Sequence, residues 1–302
     1  MEPQLNELRA LASLAQNRRT ETGIPRVAMV QGSIPEHELA AVYDPMVNLI
    51  LRGSKSLTVG GRTVRYDPAT YFVMSVDLPA AGVVRPSALG EPYLAVSLTL
   101  EPRVLAGLLS DLPDAPPSAG RDAGFAVAST TAELLDAWLR MMRLMRHPAD
   151  IPALAPAYER EILYRVLQGP MGWMLRDIAL PDTALARVHA AIKRIRRDYM
   201  HPLRTAELAH GAAMSVSAFH RHFKAVTAMS PLQYQKQTRL LKARLLLIAH
   251  GRSVAAAAHE VGYESPTQFS REYARLFGRP PARDSAQIIS AMKTRPAAPD
   301  IV

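Results

Sequence analysis

The chain has 302 residues, of which 48% are hydrophobic and 21% are charged, and its formal net charge is +9. This length and composition predict a globular protein of about two domains. The absence of cysteine excludes disulfides, cysteine-ligated metal sites and cysteine nucleophiles. No apolar run reaches the ~18 residues of a transmembrane helix, and residues 1–16 lack the apolar block of a signal peptide. We therefore expect a cytoplasmic protein without a membrane partner.

The charge is divided unevenly along the chain. Residues 1–180 contain 17 Lys and Arg against 19 Asp and Glu, whereas residues 181–302 contain 19 Lys and Arg against only 8 Asp and Glu. This asymmetry predicts an anionic partner for the C-terminal part, most commonly nucleic acid. A basic surface without a partner is the alternative that charge alone leaves open.

The first third of the chain has the pattern of short strands. Gly60-Gly61 separates two β-prone runs, which predicts a hairpin. From Tyr93 to Leu100 apolar residues alternate with others, as in a strand with one buried face. Several such runs between residues 26 and 100 predict a small barrel or sandwich.

A loop is predicted over residues 111–120, and the periodicity then becomes helical. One amphipathic helix begins after Thr130 or Thr131 and continues to about Arg146, and a second spans about 157–167. The apolar faces of these helices either cover the barrel or pair with a second subunit. The sequence does not distinguish these two arrangements.

From Ala184 onward the chain is predicted to be all helical, and it contains a weak internal repeat. Each copy is a short helix, a turn and a second helix, and Phe219 in the first copy corresponds to Phe269 in the second. This is the pattern of a helix-turn-helix. The helix starts carry residues typical of N-caps, namely Thr205, Ser215, Ser253 and Ser265. A long helix from Leu232 to about Ile248 joins the two copies.

The second helix of each copy carries a polar face opposite its aromatic residues. Arginine and glutamine on such a face can form paired hydrogen bonds with guanine and adenine, and Ser, Thr and His offer shorter contacts. A solvated surface face is the alternative for either helix alone, but two copies in a basic segment favour DNA reading. The candidate DNA-binding residues are Ser217, His220, Arg221 and Lys224 in the first copy and Thr267, Gln268, Ser270 and Arg271 in the second.

Residues 187–283 resemble the DNA-binding domain of the AraC/XylS family of bacterial transcription regulators. The most specific segments are Val261–Ser265 (VGYES), Phe269–Tyr273 (FSREY) and Leu276–Pro281 (LFGRPP). The alanine run from Ala255 to Ala258 departs from the larger aliphatic residues usual in the family. The resemblance implies base contacts by Ser217, His220, Arg221, Thr267, Gln268 and Arg271.

The front half resembles the AraC-type N-terminal domain in shorter motifs. These are Val42–Pro45 (VYDP), Leu49–Gly53 (LILRG), Tyr66–Pro68 (YDP) and Ser75–Pro79 (SVDLP). The resemblance implies a cupin-like β-barrel that binds a small-molecule effector and trailing helices that form a homodimer. The expected fold class is therefore α+β, with a cupin-like barrel followed by an all-α domain of two helix-turn-helix units joined by a long helix.

An enzyme is the competing class, because cupin-like barrels also hold catalytic metals. A metal site needs clustered His and carboxylate ligands, and His37 and His147 are the only histidines before residue 180. No Gly-x-Ser-x-Gly elbow, P-loop or dinucleotide fingerprint is present. We expect no catalytic residues, no metal and no cofactor other than the effector. A DNA-acting enzyme and an architectural DNA-binding protein with a non-sensing barrel stay open as alternatives.

The predicted organisation has three parts. Residues 1–180 form an effector-binding and dimerisation domain, with the barrel at about 24–105 and helices at about 130–168. Residues 181–290 form the DNA-binding domain and residues 291–302 a tail. The expected partners are double-stranded operator or promoter DNA, a second copy of the chain and, for an activator, RNA polymerase. Effector-pocket residues are not assigned, although residues that could serve an anionic ligand include Arg52, Lys55, Arg62, Arg65, Tyr66 and Arg85.

Overall fold

The computed structural model describes residues 1–16, 19–32, 40–68, 70–113, 123–180 and 182–293. His37, residues 114–120 of the predicted loop and residues 294–302 of the predicted tail lie outside these ranges. Residues 291–293 end the last helix rather than beginning a tail. Within the described ranges, no helix is both long and apolar enough to span a membrane.

The N-terminal half contains two antiparallel sheets, which confirms the predicted β-rich fold. The first has the strand order β1-β2-β9-β4-β7-β10 and the second the order β3-β8-β5-β6. The strands are β1 (Thr20–Glu21), β2 (Val27–Gly32), β3 (Ala40–Tyr43), β4 (Met46–Arg52), β5 (Ser54–Val59), β6 (Arg62–Tyr66), β7 (Thr70–Met74), β8 (Leu78–Arg85), β9 (Tyr93–Thr99) and β10 (Phe125–Ser129). Val59 pairs with Arg62 across Gly60-Gly61, so the predicted hairpin is confirmed.

Two features of the sheets differ from the sequence expectation. In β9 both faces are largely covered, since Tyr93 and Ala95 are buried together with Leu94, Val96 and Leu98. This strand lies between β2 and β4, and the N-terminal helix packs against it. Strand β10 extends the first sheet beyond the predicted limit of about 105, because residues 125–129 return to pair with β7.

Five α-helices of the described chain belong to this half. They are α1 (Glu2–Ala12), α2 (Pro102–Leu109), α3 (Ala132–Arg143), α4 (Ile151–Gln168) and α5 (Gly172–Ala179). Thr131 caps α3 by accepting a hydrogen bond from the Leu134 amide at 3.2 Å, as predicted. Helix α4 begins earlier than predicted: Pro152 lies in its first turn, where proline is tolerated, and the helix continues through Pro156 in its interior.

The C-terminal half is helical, as predicted. Its helices are α6 (Ala184–Arg197), α7 (Thr205–Gly211), α8 (Val216–Thr227), α9 (Pro231–Ala249), α10 (Val254–Glu260), α11 (Pro266–Phe277) and α12 (Pro281–Lys293). The side chains of Ser215, Ser253 and Ser265 cap α8, α10 and α11. The expectation for Thr205 is wrong, because Thr205 is the first residue within α7 and the N-cap Arg204 makes no side-chain cap bond.

The hydrophobic core is divided in an unexpected place. One continuous cluster extends from the sheets through α6, α7 and α8 to Tyr234 in α9. A separate, smaller cluster holds the second helix-turn-helix, with Leu240, Val261, Phe269 and Tyr273 among its members. The first helix-turn-helix therefore shares its core with the β-domain, whereas the second has its own.

Candidate functional site: two helix-turn-helix units and a barrel cavity

The first candidate recognition helix is α8. Phe219 and Phe223 are fully buried and fix one face against the core. All four candidate residues of this copy are exposed, namely Ser217, His220, Arg221 and Lys224. Within the described ranges, neither Arg221 nor Lys224 makes an ion pair. Both cations are exposed to solvent and can bind an anion.

The second candidate recognition helix, α11, has the same design with two differences. Thr267, Gln268 and Arg271 are exposed, but Ser270 is half-buried. The Gln268 amide donates to Glu272 at 3.3 Å, so it must release this bond before both of its polar groups can contact one base. Arg271 forms no ion pair with any described residue and occupies the position that Arg221 has in α8.

Several other basic residues of this half are structural, so only part of the positive charge of residues 181–302 can serve an anionic partner. Arg244 is buried in a paired contact with Asp284 at 2.9 and 3.2 Å, and its guanidinium lies over the Phe277 ring. Arg239 donates to the carbonyls of Tyr199 and Gly262 at 2.6 and 2.9 Å. These side chains hold α9 against its neighbours.

The barrel contains a cavity of about 110 Å³ between the two sheets. Its wall is largely apolar, and Tyr43 and Tyr93 contribute aromatic rings. Lys55, from β5, also lines it and is only 9% exposed. Burial lowers the pKa of Lys55 from 10.5 to about 8. Its ammonium lies 4.7 Å from the centre of the Tyr43 ring, and no carboxylate in the described ranges pairs with it.

A polar cluster connects the barrel to α6 and α9 at the interface between the two halves. Arg196 of α6 binds the carboxylate of Asp77 and also reaches Asp44 at 3.3 Å. Tyr234 of α9 donates to the backbone carbonyl of Asp77 at 2.8 Å. Asp44 also lines the barrel cavity, so one side chain belongs both to the cavity and to the interface.

His189 of α6 is the neutral member of this cluster. Burial, with a smaller contribution from the charge of Lys193, lowers the pKa of His189 to about 4. Its Nε2 lies 3.5 Å from the Asp77 carboxylate and makes no hydrogen bond with any described residue. The attraction across this interface therefore comes chiefly from Arg196.

The sequence motifs include Asp44 and Asp77, but they do not reveal that these residues bind Arg196. Both were part of the family resemblance, in the VYDP and SVDLP segments, yet nothing local shows that they meet Arg196, which is 119 residues downstream of Asp77. The cavity position of Lys55 was likewise one open possibility among several basic residues. In the described ranges, no group of three His, Asp or Glu side chains could hold a metal ion.

Comparisons with known families match both halves. The model of the AraC-type transcriptional regulator N-terminus matches residues 23–174, and a helix-turn-helix domain model matches residues 208–286. The fold resembles that of apo ToxT from Vibrio cholerae, with a TM-score of 0.55 at 10% identity over 88% of this chain and 98% of that one. It also resembles ToxT with bound unsaturated fatty acid, with a TM-score of 0.51 at 11% identity over 85% of this chain and 92% of that one.

Curated relatives match over shorter stretches. A putative AraC-like transcription regulator of Streptomyces antibioticus is 33% identical over 119 residues, which are 39% of this chain and 37% of the relative. The transcriptional regulator ExsA of Pseudomonas aeruginosa is 26% identical over 145 residues, which are 48% of this chain and 51% of the relative. The matched stretches thus span about a third to a half of these relatives.

Proposed function

Because the chain belongs to the family of AraC-type transcriptional regulators, we propose that it binds double-stranded DNA sequence-specifically and regulates transcription in response to a small molecule. The observation that carries DNA reading is the pair Arg221 and Arg271. Each is exposed at the same position of its helix, and neither has an ion-pair partner in the described ranges. This design suits a bidentate contact with guanine in the major groove.

The recognition helices and the basic residues outside their base-reading faces have different roles in DNA binding. Lys224 and exposed cations such as Lys242 supply salt-dependent attraction to phosphate. The exposed faces of α8 and α11 supply base contacts, with α9 as the spacer that sets their separation. The protein acts in the cytoplasm, where its operator lies, as a regulator and not as an enzyme.

The test of DNA reading compares Arg221→Ala and Arg271→Ala on a DNA sequence selected from a random pool by the wild-type protein. Each variant is expected to lose on the order of 1–3 kcal/mol on the selected site and to accept other bases at one position. The readout is equilibrium binding to the selected site and to its single-base variants.

The matched control is Arg103→Ala, which removes an exposed arginine from α2 of the β-domain. It should leave both affinity and base preference unchanged. Equal weakening of every DNA sequence by the two recognition variants would contradict base reading and make these arginines phosphate contacts.

Sensing is assigned to the barrel cavity, and the Asp44–Arg196 contact is its route to the DNA-binding half. A ligand shifts an equilibrium only by binding two states with different affinity. Because Asp44 lines the cavity and holds Arg196, a ligand that moves Asp44 changes the attachment of α6 and the first helix-turn-helix. The fatty acid bound by ToxT supports a small-molecule ligand for a protein of this fold.

Self-association and recruitment of RNA polymerase complete the proposed function. The apolar residues of α3 that invite dimerisation are already buried within the chain, including Leu135, Trp138 and Met142. A homodimer formed through the helices after the barrel therefore uses their exposed faces, such as that of Leu154 on α4, which is 38% exposed. RNA polymerase is the further partner if the operator places the protein as an activator.

A further inference from the structure

We propose that the barrel cavity binds a small organic monoanion with a compact apolar body, and that the Lys55 ammonium holds its anionic group. This inference rests on the proposed sensing function and names the chemical class of the effector.

The first support is the position of Lys55. It pairs with Tyr66 on β6 and with Val84 on β8, so its strand is paired on both edges. Its side chain lines the cavity and is almost completely buried. Burying an ammonium without a counter-ion is costly, and proteins normally pair such a group. The Tyr43 ring only partly compensates this charge.

Among the described residues of the cavity wall, the other charged side chains form ion pairs. Asp44 binds Arg196 at 3.3 Å, and Arg19 binds Glu21 at 2.9 Å. Of the charged residues that line the cavity, Lys55 alone has no ion-pair partner in the described ranges. A single unpaired cation matches a ligand with a single negative charge, such as a carboxylate, better than a dianion.

The remaining wall defines the body of the ligand. Met29, Val42 and Val84 are apolar, and Tyr93 contributes a ring. A cavity of about 110 Å³ is of the same order as the ~150 Å³ apolar cavity that accepts benzene, so the body is about one ring or a short chain.

Asn48 adds a hydrogen-bonding requirement. Its Nδ2 donates to the Val96 carbonyl at 3.3 Å, whereas its buried Oδ1 has no donor partner in the described ranges. Asn48 lines the same cavity, so a hydroxyl or amide hydrogen on the ligand body would satisfy this oxygen.

The test measures binding of benzoate and hexanoate, each paired with its neutral amide, to the full chain by calorimetry at pH 7. The wild-type protein is expected to bind at least one carboxylate saturably and its amide at least ten-fold more weakly. Lys55→Met should lose at least ten-fold in carboxylate affinity while its amide affinity stays unchanged. The matched control Arg65→Met removes an exposed cation from the neighbouring strand β6 and should bind as wild type does.

Two results would overturn the proposal. In the first, Lys55→Met binds the carboxylate as tightly as wild type does. In the second, the wild-type protein shows no preference for either carboxylate over its amide, or binds neither compound. DNA binding by the same preparations separates this failure from a failure of the proposed function. If the protein binds DNA sequence-specifically but shows no carboxylate preference, only the proposed anion site is wrong. If it shows neither property, the proposed regulatory function is wrong as well.

Discussion

Lys55 makes a testable contribution to stability at the scale of one residue. Its pKa is lowered from 10.5 to about 8 in the folded protein, so the unfolded chain binds more protons between these values. Stability from this group therefore rises with pH across that window. In the absence of ligand, Lys55→Met should be more stable than wild type below pH 8, by about 3 kcal/mol.

The measurement is urea unfolding of wild type and Lys55→Met at pH 7 and at a pH close to 10. The stability advantage of the variant should shrink at the higher pH, because the folded lysine is already neutral there and the unfolded chain is beginning to lose the same proton. An advantage that is equal at the two pH values would show that the buried charge is not its cause.

Residue-scale prediction from sequence succeeds where exposure follows from helical spacing. Arg221 and Arg271 are exposed because the aromatic residues of α8 and α11 define the buried face. Prediction of exposure fails for Arg244, which the sequence does not distinguish from the nearby basic residue Lys242. Arg244 is buried because Asp284, 40 residues downstream, reaches it, and such long-range partners leave no local signal.

At the scale of elements, the contact between the barrel and α8 depends on a close backbone approach. The Gly124 amide donates to the Val226 carbonyl at 3.0 Å. A Cβ at Gly124 would lie 2.6 Å from that carbonyl oxygen and 2.9 Å from a methyl group of Val76. Only glycine leaves room for this approach.

Gly124→Ala should therefore loosen the attachment of the first helix-turn-helix to the barrel. We expect faster amide exchange in α8 and α6 and a destabilisation of about 1–3 kcal/mol, the usual cost of overpacking. The control is Gly107→Ala in α2, where a Cβ meets no atom within 4 Å. Unchanged exchange in α8 of Gly124→Ala would contradict the proposed role of this contact.

The sequence predicts the elements that have strong local signals. The Gly60-Gly61 hairpin, the Thr131 cap of α3 and the serine caps of three helices all follow from turn and cap chemistry. Helix α1 and strand β10 were not predicted, because their place depends on distant partners. Strand β10 is defined by its pairing with β7, about 50 residues earlier in the chain.

At the scale of the whole molecule, the division of the core suggests how the two DNA-reading units cooperate. The first unit shares one hydrophobic cluster with the barrel, whereas the second has a separate cluster. Helix α9 runs through both, since Tyr234 belongs to the first cluster and Leu240 to the second. The barrel thus shares its core with the first unit, whereas the second unit meets strands β3 and β8 across a surface cleft that Val83, Leu276 and Phe277 help to line.

This arrangement could not be derived from the sequence, although its parts could. The two copies of the repeat are equivalent in the sequence, and the charge asymmetry treats residues 181–302 as one basic segment. Their different attachment depends on Gly124, Asp77 and Arg196, whose contacts cross more than 100 residues of chain. We expect a ligand in the barrel to act more strongly on the first unit, which shares the core of the barrel, than on the second.

We expect the two recognition helices, which α9 holds at a fixed separation, to read one operator together. The most direct measurement compares affinity for the selected operator with affinity for the same DNA carrying five extra base pairs between its two half-sites. Half a helical turn moves the second half-site to the opposite face of the DNA, so we predict at least a ten-fold loss of affinity. Equal affinity for the two DNAs would contradict it.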